Sequence, residues 1–229
     1  MKTLLCSFAL FLSAGAFAAT AHDSFSMAQV TNVPYPSGLV AAQHGNRIAW
    51  VLDKQGVRNI WIAEAPGFTP RQVTKYTGDD GQELTQLGFS PDGTYLVYVR
   101  GGDHDANWPA KGNLAPDPTS APVEPEVTIW SIALDSGKLV KIADGDEPAV
   151  SSTNRLAFIS KHQVWTAALD GKGKPQQLVF DRGEDGSLRW SPDGSRLAVV
   201  ATRDDHPFIG VFRSKDQPLV YLAPTTSLD

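Results

Sequence analysis

The sequence predicts an all-β protein made of repeated four-stranded antiparallel sheets, and three observations carry that prediction. The tetrapeptide Ser-Pro-Asp-Gly occurs twice, at Ser90–Gly93 and Ser191–Gly194, each time after a large aromatic (Phe89, Trp190) and before a strand-like run. The match extends past the turn: Leu87–Val99 and Leu188–Val200 align throughout, and Asn46–Val51 and Asn154–Ile159 are degenerate copies of the strand that follows. Finally, the apolar runs are short, rich in β-branched and aromatic residues, and bounded by Gly, Pro, Asp and Asn. None after the N-terminal segment keeps a 3.6-residue period for three turns. A long motif recurring in one chain marks a repeated structural unit, and a period of roughly 40–50 residues is that of β-propeller blades.

Each element can be justified in order. A strand precedes each turn, at Leu39–Ala42, Leu84–Phe89, Pro148–Val150 and Ser187–Trp190. In the Ser-Pro-Asp-Gly turns proline presets φ, Asp bonds to local backbone, and Gly supplies the left-handed residue that starts the next strand. Ser90 and Ser191 are therefore turn residues; neither has a His placed by sequence to act as a base. A third strand with a central aromatic follows at Asn59–Ala63, Thr128–Ile132, Gln163–Ala167 and Phe208–Phe212. A shorter fourth comes at Arg71–Thr74, Lys138–Ile142, Gln176–Phe180 and Leu219–Leu222. The units so defined are blades at about 37–78, 84–145, 147–182 and 187–224, the second carrying an insertion at 101–126. Trp61, Trp130 and Trp165 fall at one equivalent position and are expected to pack blade on blade, ligand stacking being the other use of such a position.

Residues 1–21 have the pattern of a secretory signal peptide: Lys2, an apolar run Leu4–Phe17, and small-x-small cleavage sites ending at Ala18 and Ala21. The expected location is thus periplasmic or secreted. Cys6 lies inside this leader, so the mature chain uses neither disulfide nor thiolate chemistry. Loss of Lys2 takes the formal net charge from −5 to −6, which argues against a nucleic-acid partner. No second apolar run approaches membrane-spanning length, so no membrane association is expected after cleavage. No phosphate-binding Gly-rich loop and no Cys/His cluster occurs, and no cofactor or metal is expected.

Four blades make a short array, and the last segment, Ala223–Asp229, reads as a connector rather than a cap. The expectation is an incomplete ring, with open blade edges inviting self-association. The repeats resemble the Ser-Pro-Asp-Gly blades of TolB-type propellers. They are more similar still to the N-terminal propeller of secreted bacterial serine peptidases of the prolyl oligopeptidase and dipeptidyl-peptidase group, through Tyr98–Pro109 with its Gly-Gly-Asp-His and Asn-Trp-Pro, and Val127–Ser131. That resemblance implies a propeller of seven or eight blades that filters short peptides for a C-terminal α/β-hydrolase domain carrying Ser, Asp and His. No Gly-x-Ser-x-Gly elbow occurs in the sequence, so no catalytic residue carries over and the chain alone is expected to be inactive. Two other functions stay open: a stand-alone TolB-like binding scaffold, and a propeller enzyme of another chemistry.

The loop joining strands two and three of a blade shares a face with the loop between blades. The insertion Gly101–Glu126 is then expected on one rim with Gly78–Glu83 and Gly183–Gly186, which look equivalent between repeats. Asp79, Asp80, Glu83, Asp103, Asp105, Glu184 and Asp185 would crowd that rim, with His104 among them. Three uses are open: a solvated ring of turn-formers, an electronegative collar that attracts the amino terminus of a peptide, and a divalent-cation site at Asp103, His104 and Asp105, whose spacing matches no known loop signature. Trp108, beside Pro109 in a stretch with five prolines, is expected to dock on the propeller face or on the hydrolase domain.

Overall fold

Among the described residues, sixteen strands fall into four antiparallel sheets, each made of four strands consecutive in sequence. The computed structural model describes residues 25–44, 46–101, 126–204 and 206–222. Blade one holds β1 (Tyr35–Ala41), β2 (Arg47–Lys54), β3 (Val57–Glu64) and β4 (Arg71–Gln72). Blade two holds β5 (Leu84–Phe89), β6 (Tyr95–Arg100), β7 (Thr128–Ala133) and β8 (Lys138–Asp144). Blade three holds β9 (Asp146–Val150), β10 (Arg155–Ser160), β11 (Gln163–Ala168) and β12 (Gln176–Gln177). Blade four holds β13 (Glu184–Trp190), β14 (Leu197–Arg203), β15 (His206–Phe212) and β16 (Val220–Tyr221). The first strand of each blade is innermost: β1 packs on β5, β5 on β9, and β9 on β13. Among the described residues the four sheets do not close into a ring. Residues up to Val33 are a separate unit, whose described part contains one short helix, α1 (Met27–Thr31), started by a Ser26–Gln29 capping box. Among the described residues no helix is long and apolar enough to cross a membrane.

Strand alternation gives every blade two apolar faces, and each inter-blade layer is built the same way. The trailing face of blade one, Ala49, Val51, Ile60 and Ile62, packs on Leu87, Leu96, Tyr98 and Ile132 of blade two. Val97, Val99 and Ile129 of blade two pack on Leu156 and Phe158 of blade three. Ala157 and Val164 of blade three pack on Leu188, Leu197, Val199 and Phe212 of blade four. Trp130 and Trp165 lie on the leading faces of their blades and pack against these layers. Trp61 lies on the leading face of blade one beneath the Lys54 ammonium. In blade four the same position is Gly210, where an added Cβ would come within 2.6 Å of Leu219. Leu219 fills the space that the indole takes elsewhere.

The two Ser-Pro-Asp-Gly turns have one geometry. Ser90 Oγ donates to Asp92 (2.6 Å) and accepts from Tyr95 N–H (2.9 Å), while Gly93 N–H donates to the Ser90 carbonyl (2.8 Å). Ser191, Asp193, Gly194 and Arg196 repeat the set. Both glycines are left-handed, with φ of 71° and 70°. Blade one secures the first turn through Arg47, which donates to the Gly93 carbonyl at 2.7 Å; its counterpart Arg155 stacks on Trp190.

Every innermost strand breaks register against its neighbour at the same height. Each break carries a residue with positive φ: Gly38, Gln86, Glu147 and Ser187. These bulges touch across blades. Gln86 donates to Asp146 at 2.8 Å, and the Glu147 carboxylate accepts from Ser187 N–H.

Candidate functional site

The rim where strands two and three turn, and where one blade hands over to the next, carries the polar side chains that the fold does not consume in its layers. At the junction of blades one and two, Asp80 pairs with Arg100, and Arg100 stacks 4.7 Å from the Tyr76 ring centroid. The Tyr76 and Tyr98 hydroxyls share a hydrogen bond of 2.8 Å, and burial pushes the Tyr98 hydroxyl well above its ordinary range. Asp79 lies 3.8 Å from Arg58, which also pairs with Asp53 at 3.3 Å. The inter-blade segment behind these groups is held by Asn59. Its Oδ1 accepts from Thr74 Oγ1 (2.9 Å) and Tyr76 N–H (2.8 Å), and its Nδ2 donates to the Tyr76 carbonyl (2.9 Å).

A cavity of about 530 Å³ opens here between β1 and β5. Asp53, Arg58, Glu83 and Gln86 supply its polar lining, and Tyr35, Val51 and Leu84 its apolar part. Charges of both signs over an apolar floor suit a small zwitterionic ligand.

The junction of blades three and four repeats the arrangement. Gln163, the counterpart of Asn59, accepts from Asp181 N–H (3.0 Å) and donates to the Gly183 carbonyl (3.1 Å). Arg203 pairs with Asp181 at 2.8 Å, bonds the Tyr221 hydroxyl, and stacks on the Tyr221 and Phe208 rings. Burial alone would raise the Asp181 carboxyl, but Tyr221, the Arg182 amide and Arg203 together hold it below the usual carboxylate range. Asp185 is different. It is 7% exposed, and neither carboxylate oxygen has a hydrogen-bond partner of normal geometry among the described residues. Burial, reinforced by the nearby Asp181 charge, pushes its pKa up to about 6, against the pull of the Val164 amide and Arg203.

The structure thus divides the predicted rim residues. Asp79, Asp80 and Glu83 belong to the junction of blades one and two. Glu184 and Asp185 belong to the junction of blades three and four, where Glu184 is exposed 3.9 Å from His162. Glu184 and Asp185 lie inside β13 rather than in a loop. The two segments are also not equivalent as the sequence suggests. Register places Leu84 opposite Arg100 and Asp185 opposite Ala201, so Asp185 occupies the position of the buried Leu84. Asp103, His104, Asp105 and Trp108 lie outside the described residues. Among the described residues no group of three His, Cys, Asp or Glu side chains could hold a metal ion. The cations Arg58, Arg100 and Arg203 are what sequence reasoning missed. Each sits at the strand-two or strand-three end facing the acidic segment, but at positions that do not align between the repeats, so only the strand register reveals them.

No family model matches the chain. Among solved structures, a prolyl endopeptidase superposes with a TM-score of 0.61 at 11% identity, over 86% of this chain and 30% of that one. The β-propeller domain of the trilobed protease from Pyrococcus furiosus gives 0.54 at 14% identity, over 83% and 57%. The fold is a β-propeller. TolB from Acinetobacter baumannii gives 0.53 at 16% identity, over 85% of this propeller and 44% of that chain. By sequence, 52 residues are 38% identical to tricorn protease homolog 2 of Streptomyces coelicolor, which is 23% of this chain and 4% of that protein. The chain spans less than two thirds of each of these proteins.

Proposed function

We propose that this propeller is the non-catalytic, substrate-gating portion of a secreted serine peptidase of the prolyl oligopeptidase group, admitting short peptides to a hydrolase domain. The observation that carries the reading is the cavity between β1 and β5, where Arg58, Asp53 and Glu83 present both charges beside the innermost strands. A short peptide carries an ammonium at one end and a carboxylate at the other, and the cavity offers a partner for each. The likeness to peptidase propellers in sequence and fold supports the same reading. In it the rim acids steer the peptide amino terminus on encounter and break no bond.

Two measurements test the proposal. Titration of the purified chain with free alanyl-proline dipeptide should show saturable binding, weakened about tenfold in Arg58→Ala, the loss of one charge-assisted contact of about 1.4 kcal/mol. Equal binding by both proteins removes the cavity from the proposal. The second is to read the gene in all frames past the codon for Asp229. A Gly-x-Ser-x-Gly segment there supports the peptidase, and a stop without one favours a TolB-like scaffold, the reading that the superposition on TolB recommends.

A further inference from the structure

β13 enters blade four as a short flap. Glu184 and Asp185 pair with Thr202 and Ala201, and the register breaks beyond Gly186. Ser187 at that break has φ of 55°, and its N–H is held by Glu147 of blade three. At the other end Gly183 has φ of 104°, at a point where an added Cβ would collide with the Thr202 carbonyl. The segment Gly183–Gly186 is thus marked off on both sides by left-handed corners. Three hydrogen bonds tie it and its approach to blade three. Asp185 N–H donates to the His162 carbonyl (2.9 Å), Gln163 Nε2 to the Gly183 carbonyl (3.1 Å), and Asp181 N–H to Gln163 Oε1 (3.0 Å).

The side chain beneath this flap is Asp185, in the place that Leu84 fills in blade two. Both its carboxylate oxygens, and Oδ2 of Asp181 beside it, are buried and lack a hydrogen-bond partner of normal geometry among the described residues. Arg203 of β14 is the described cation that acts on Asp185, and its guanidinium is already engaged by Asp181 and the Tyr221 hydroxyl. The charges on the other elements are used elsewhere. Asp146 of β9 binds Gln86, Glu147 of β9 holds Ser187 N–H, and Arg155 of β10 stacks on Trp190 at the far end of β13. Lys161 and His162 on the β10–β11 hairpin, and Arg182 on the connector, are exposed. A buried carboxylate without a counter-charge costs more than a retained proton, so Asp185 is neutral while it stays covered. Burial and the Asp181 charge push its pKa up to about 6, in the same direction.

We infer that a proton on Asp185 latches this flap to blade three and that its loss frees the flap, so the rim at the junction of blades three and four closes in acid and opens in base. His162 lies 3.9 Å from Glu184, so a protonated imidazole adds a second attraction that favours the closed form in acid. The device uses neither the cavity between β1 and β5 nor a hydrolase domain, and it stands or falls apart from the peptide-gating reading.

The test is amide hydrogen exchange of the purified chain at pH 4.5 and pH 8, read as protection factors so that the intrinsic rate cancels. A carboxyl that titrates near 3.9 when the flap is open and near 6 when it is closed raises the open fraction about 25-fold over that interval. The Asp185 amide and its neighbours in the flap should lose protection by that factor, while the segment around Leu84, the same place in blade two, keeps its own. Asp185→Asn and Asp185→Leu should each abolish the pH dependence, and the wild-type comparison between the two junctions decides the matter even where a variant fails to fold. Equal flap protection at both pH values overturns the inference. A uniform loss across all blades, or a pH dependence that survives in both variants, does the same. Protection restored at pH 8 by calcium chloride also overturns it, because a metal cation would then be the occupant in place of the proton.

Discussion

Asp185 is the residue whose setting conflicts most with its chemistry. A carboxyl that titrates near 3.9 in the unfolded chain and near 6 in the folded one binds its proton more tightly when folded. Its contribution to stability is therefore most favourable below about pH 4, is lost as pH rises through 6, and stays lost above. Asp185→Asn is expected to stabilise the protein at pH 8 by about 1–3 kcal/mol, and to flatten the stability curve between about pH 4 and 6. Urea unfolding at pH 4.5 and 8 measures both. The turn aspartates act in the opposite sense. Hydrogen bonds from Ser191 and from the Ser195 backbone and side chain hold Asp193 down to about 2. Burial would raise Asp92, but donors from Ser90, Thr94 and Asn154 outweigh it and leave its carboxyl well below the ordinary range. Their stabilisation is present above about pH 4 and falls away in stronger acid.

Among the elements, the turns and the inter-blade clamps are where single substitutions should be costly. Ser90 is fully buried and is the acceptor for Tyr95 N–H, so Ser90→Ala should cost about 1–2 kcal/mol in equilibrium unfolding while leaving peptide binding unchanged. Asn59→Ala removes three hydrogen bonds from the segment entering blade two and should cost about 2–3 kcal/mol. Strands two and three and the Ser-Pro-Asp-Gly turns could be read directly from sequence because their signals are local: proline, glycine and alternating apolar residues. The start of β13 could not be, because Glu184-Asp185-Gly186 is composed of turn-formers, and it is pairing with β14 that makes it a strand. The same holds for Gly210. Its lack of a side chain makes sense only through Leu219, which comes from the next connection. At the candidate site the acids were visible as a cluster, whereas their arginine partners came from other strands and appear only in register.

For the whole molecule, burial by neighbouring blades sets what each position is worth. Ile60→Ala removes a side chain enclosed between blades one and two and should cost about 2–5 kcal/mol. Ile209→Ala, at the same register position of blade four but 50% exposed, should cost less than 1 kcal/mol. Equilibrium urea unfolding of the two variants provides the comparison.

The bulge repeated at one height in Gly38, Gln86, Glu147 and Ser187 also bears on how such a molecule changes over generations. Each one acts as a detent. An inner strand that slid by a residue would lose its left-handed corner and turn its apolar side chains to the wrong face. Lengthening is therefore tolerated at the perimeter and resisted at the hub.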